Sequence, residues 1–125
     1  MARARETARH ELPDIDVAAM RTARLVDQLI VEANRIADEG AAPVTGRDPG
    51  AAATAERWAG YFQRIPDQLR DEPVPQLRLV ARRARAAYGP KDSIRDVFDA
   101  SLTEPLLDSI DRLLKAIARY EADRE

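Results

Sequence analysis

Residues 13–40 read PDIDVAAMRTARLVDQLIVEANRIADEG. Within them Ile15, Ala19, Thr22, Val26, Leu29, Ala33 and Ile36 recur at spacings that alternate between four and three. That period puts all seven on one side of an α-helix, and Leu25 and Ile30 widen the stripe into the face a bundle helix needs. Pro13 suits the first position, where its missing N–H costs nothing, and Gly40 suits the stop. The stretch therefore predicts one long amphipathic helix packed against others.

Reading outward, residues 1–13 carry three arginines and two glutamates with little to bury, which predicts a flexible N-terminal tail. On the other side, residues 40–50 hold three glycines and two prolines and predict a loop of about ten residues, longer than most helix connections. A second helix begins near Ala51 with Ala55, Trp58, Phe62 and Ile65 on one side, and Pro66 kinks or ends it. Asp67 to Pro75 reads as turn-rich. A third helix turns Leu77, Val80, Ala84 and Tyr88 inward and closes at Gly89-Pro90. Ser93, with Asp96 three residues on, resembles a capping box and opens a short segment. The last helix begins after Ser101 or Thr103 with Pro105 in its first turn, and buries Leu106, Ile110, Leu113, Ile117 and Tyr120. On its outer face Asp108–Arg112 and Asp111–Lys115 are spaced for i,i+4 ion pairs. No alternating run supports a strand. The expectation is an all-α, single-domain bundle over 14–125, with four main helices and one short one.

Composition narrows the function. With no cysteine and one histidine, His10 in the polar N-terminal tail, the chain offers neither the ligands of a Cys/His zinc site nor a thiol nucleophile, and a Ser-His-Asp triad would have to recruit His10. Of 56 apolar residues 23 are alanine, so the core is thin and helices approach closely. The net charge of −2 gives no global field for nucleic acid. No apolar run is long enough for a membrane span, and the basic start lacks the apolar stretch of a secretory signal, so cytoplasmic is the default location. Gly46 to Gly50 lacks the Lys-Ser/Thr ending of a phosphate-binding P-loop.

Three constellations remain. Asp92, Asp96 and Asp99, then Asp108 and Asp111, are acidic, and the D-x-x-D pairs Asp96/Asp99 and Asp108/Asp111 resemble the E-x-x-E and E-x-x-D motifs of all-α, magnesium-dependent nucleotide pyrophosphatases. Mg²⁺ or Mn²⁺ would need such convergent carboxylates; the bland reading is a solvated face and a cap. Arg78, Arg82 and Arg85 form a stripe on the third helix, with Arg83 beside them. They can pair with acidic faces inside the fold, with an acidic partner protein or, third, with phosphates. Trp58, Tyr61, Phe62, Tyr88, Phe98 and Tyr120 read as core with Trp58 as anchor, against an aromatic-lined ligand pocket.

Trp58-Ala59-Gly60-Tyr61, then Tyr88-Gly89 and Ser93-Ile94-Arg95-Asp96-Val97, resemble a family of small bacterial helical domains of unknown function. That family pairs a Trp-x-x-aromatic helix with an aromatic-Gly stop and a Ser-[Leu/Ile]-x-Asp-[Leu/Val] segment. The resemblance spans residues 56–100. It departs in the turn, where Pro90, Lys91 and Asp92 replace a second glycine and a methionine, and the long first helix lies outside it. It implies no activity, but such domains occur near toxin systems, which favours a binding role such as immunity. The resulting expectation is a non-enzymatic module that binds another protein without a cofactor. The alternative is a metal-dependent hydrolase of a phosphorylated small molecule, and self-association is left open by the helical stripes.

Overall fold

The computed structural model describes residues 8–41, 49–90 and 93–124. Most of the loop expected at 40–50, the first half of the expected tail, and Lys91 and Asp92 lie outside the described residues.

The helical period governs the architecture. Helix α1 (Pro13–Ala41) buries Ile15, Ala19, Thr22, Ala23, Val26, Leu29 and Ala33. Asp14 and Asp16 occupy its first turn, where the helix dipole favours negative charge. It is the hub of the fold, packing on α2 (Pro49–Phe62), α3 (Ile65–Asp71) and α5 (Ala100–Arg124), while α4 (Val74–Ala86) closes against α3 and α5. The core is continuous, running from Ile15 and Val26 through Phe62, Leu69 and Leu77 to Ile110 and Ile117. The molecule is all-α as expected, with four long helices and a short one, and no strand among the described residues.

The short helix is not where the sequence placed it. Asp67–Asp71 is helical rather than turn-rich, because Pro66 sits in the first turn of α3, where a proline is compatible with helix. Ile65, Pro66 and Leu69 are buried in α3, and only Glu72-Pro73 separates it from α4. The segment after Ser93 is a single 3-10 turn (Ile94–Asp96) whose Ser93 hydroxyl accepts the Arg95 N–H at 3.1 Å. Helix α5 starts earlier than expected because Asp99 caps it, its carboxylate accepting the Ser101 N–H at 2.9 Å. Pro105 consequently falls inside the helix, where it deprives only the exposed end of a backbone bond.

Two further corrections concern what is anchored. Within the expected tail, Arg9–Glu11 forms a 3-10 turn docked on the domain. The Arg9 side chain is 11% exposed and pairs with Asp16 at 3.0 Å. It also donates to the Glu72 carbonyl at the end of α3, again at 3.0 Å. In α2 the fully buried aromatic is Phe62, while Trp58 is half-buried at the edge of the core. Trp58 lies three residues after buried Ala55, which rotates it about 60° off the innermost line.

Candidate functional site

The arginine stripe divides once α4 packs on α5. Arg78 donates to Glu121 at 3.2 Å and Arg85 to Asp111 at 3.1 Å, so both tie the two helices together. Arg82 projects away from them and stays exposed, as does Arg83. The ends of the stripe are thus tied to α5 while still partly exposed, and its middle is fully open to solvent.

The same packing disposes of the four-carboxylate arrangement. Asp111 is engaged by Arg85, and Asp108 pairs with Arg112 on its own helix at 3.0 Å. Asp99 is spent as the cap of α5, and hydrogen bonds from Ser101 hold its carboxyl below the usual aspartate value. Asp96 is exposed at the end of the 3-10 turn. Among the described residues no three His, Asp or Glu side chains come together in a way that could hold a metal ion. The convergence that Mg²⁺ or Mn²⁺ would need is not formed among the described residues, where Asp96 lies on the 3-10 turn, Asp99 caps α5, and Asp108 and Asp111 lie farther along that helix.

The aromatics and the Tyr88-Gly89…Ser93 elements are built into the scaffold. The Tyr88 hydroxyl donates to the Thr103 carbonyl at 2.6 Å, and burial pushes the phenol well above its ordinary value. The Arg95 and Arg85 guanidinium groups lie 5.4 and 5.7 Å from its ring centre. Gly89 follows at the end of the turn after α4, and the Ile94 N–H beyond Ser93 bonds back to the Ala87 carbonyl at 3.1 Å. Trp58, Tyr61 and Phe62 form one ring cluster with neighbouring centroids 5.2 to 6.2 Å apart, and Tyr61 donates to the Arg83 carbonyl at 2.5 Å.

What remains open to solvent is a groove of about 590 Å³ between α1 and α5. Its α1 wall carries Asp14, Val17 and Arg21, and its α5 wall carries Arg112, Lys115 and Arg119. Ala18 and Ala116 form the floor, next to the buried Ser109. A second depression continues along α1 past Val17, Met20, Arg21 and Arg24 toward Arg70 of α3. Val17 and Met20 are 67% and 44% exposed, which leaves a substantial apolar surface among the cations. Arg70 is held by Asp27, but Arg21, Arg24, Lys115 and Arg119 form no ion pair among the described residues.

Sequence reasoning missed this groove. Lys115 was expected to pair with Asp111, four residues earlier; Arg85 reaches in from α4 and takes that carboxylate instead. The available signal was Val17 and Met20, apolar residues that fall off the buried stripe of α1. Comparison with known proteins finds no matching family model, curated protein or solved structure.

Proposed function

We propose that this chain is a non-enzymatic, cytoplasmic protein-interaction module that binds an acidic partner protein through the face shared by α1 and α5. One observation carries the reading: Arg21, Lys115 and Arg119, which form no ion pair among the described residues, line one groove with exposed Val17. Desolvated apolar contacts supply affinity in protein interfaces, while surrounding charges steer encounter and select the partner. Neutralising a toxin or regulating an enzyme are two instances of such a role, and the resemblance of residues 56–100 to bacterial domains found near toxin systems favours the first. The hydrolase alternative has no comparable support, since three of its four carboxylates, Asp99, Asp108 and Asp111, are committed to a helix cap and to arginines.

The test is a crosslinking pull-down of the tagged chain from its native cells at physiological salt, run beside Arg21→Glu/Lys115→Glu/Arg119→Glu. All three positions are exposed, so the variant keeps its fold. A stoichiometric protein captured by the wild type and lost from the variant is the expected result. Identical captures from both, or none from either, would sink the reading.

A further inference from the structure

The valley between α1 and α5 has the form of a seat for a third helix. Its floor is made by Ala18 and Ala116, side chains small enough to let another backbone come close. Arg112, Lys115 and Arg119 stand along one wall at i, i+3 and i+7, a row of about 10 Å at the helical rise. On the other wall Arg21 stands one turn after exposed Val17, while Met20 and Arg24 lie beyond them in the neighbouring depression, with Asp16 and Arg70.

We infer that this groove receives an acidic amphipathic helix of a partner protein, its apolar edge on Val17 and the alanine floor and its carboxylates facing Arg21, Lys115 and Arg119. This rests on the reading of the chain as an interaction module and specifies what the module recognises. Carboxylates on a helix repeat at three- and four-residue intervals, which matches the row on α5. Charge complementarity and exposed apolar surface together select this occupant. A nucleic acid strand would leave Val17 and the alanine floor without an apolar partner and would find no aromatic ring in the groove on which to stack. A second copy of this chain would bring its own Arg21 against the same cations.

The probe is a fluorescein-labelled peptide of about three heptads, with leucine at the a and d positions and glutamate at most others. Binding is read by fluorescence anisotropy at low and physiological salt. The chain itself carries −2, so capture of an acidic peptide cannot arise from net charge. The peptide is expected to bind, with a scrambled peptide of the same composition at least about tenfold weaker. Arg21→Glu/Lys115→Glu/Arg119→Glu is expected to lose about tenfold or more, and Val17→Ser severalfold. Arg57→Glu/Arg64→Glu/Arg83→Glu makes the same change in net charge on exposed positions elsewhere and is expected to bind like the wild type. Equal binding of the scrambled peptide or of a random single-stranded oligonucleotide would overturn the inference, as would equal loss in both triple variants. A native partner still captured by the groove variant would also overturn it, while leaving open another binding surface. A groove that binds the helix peptide although cells yield no partner would instead fault the functional reading.

Discussion

Thr22 is a polar residue in the middle of an apolar stripe, and its surroundings explain why it is tolerated. Its hydroxyl lies 2.7 Å from the Ala18 carbonyl and 2.7 Å from the Ser109 hydroxyl, and both side chains are essentially unexposed. A carbonyl can only accept, so the Thr22 proton goes to Ala18 and Ser109 donates to Thr22. The pair joins α1 to α5 directly beneath the groove. Thr22→Val strips Ser109 of its acceptor and should cost about 1–3 kcal/mol. Thr22→Val/Ser109→Ala removes both partners and should lie closer to wild type than Thr22→Val alone, as read from urea midpoints. A double variant no more stable than Thr22→Val would show that the two hydroxyls act separately. Burial of Thr22 was legible from its place in the four-three stripe of α1. Its partner was not, because 87 residues separate the two hydroxyls in the chain. The anchor of α2 was misassigned for a related reason: size points to Trp58, whereas position on the inner line belongs to Ala55 and Phe62.

At the element scale, the turn between α4 and α5 is fastened by charge as well as by burial of Ile94 and Phe98. Arg95 donates two bonds of 2.9 Å to Glu104 and holds its carboxyl below the ordinary 4.5. Ser101 does the same for Asp99, from an ordinary 3.8. Folded values below the unfolded ones mean that this contribution is complete above about pH 4.5 and is lost as pH falls through the lower folded values. Because both groups are exposed, the contribution is small. Urea midpoints followed from about pH 6 down to about pH 3 should therefore fall for the wild type, and fall less steeply for Glu104→Gln/Asp99→Asn, whose amides do not titrate. Parallel profiles would remove these contacts from the acid response. The long helices were readable from periodicity, and so was the Ser93 cap. Helix α3 was not, because Pro66 signals both the end of one helix and the first turn of another, and only packing of Ile65 and Leu69 on α1 decides between them.

For the whole molecule, the net charge of −2 conceals a strongly uneven surface. Several arginines are consumed in joining elements, as Arg70–Asp27, Arg78–Glu121, Arg85–Asp111 and Arg95–Glu104 show. Those pairings decide which cations are left over: Arg21, Lys115 and Arg119 remain where α1 meets α5, while Arg57, Arg64, Arg82 and Arg83 are exposed elsewhere. No reading of composition or local spacing could locate that surface, since it depends on which arginine reaches Asp111. The chain's chemistry also supplies a direct probe: it has two lysines, Lys91 and Lys115, and Lys115 lies in the groove. The decisive measurement is acetylation of lysines by an amine-reactive reagent, in the free chain and in the crosslinker-free complex with its captured partner, quantified by mass spectrometry. Occupation of the groove predicts that Lys115 loses most of its reactivity in the complex relative to Lys91 in the same digest. Undiminished labelling of Lys115 in a stoichiometric complex would contradict the assignment of this face as the binding surface.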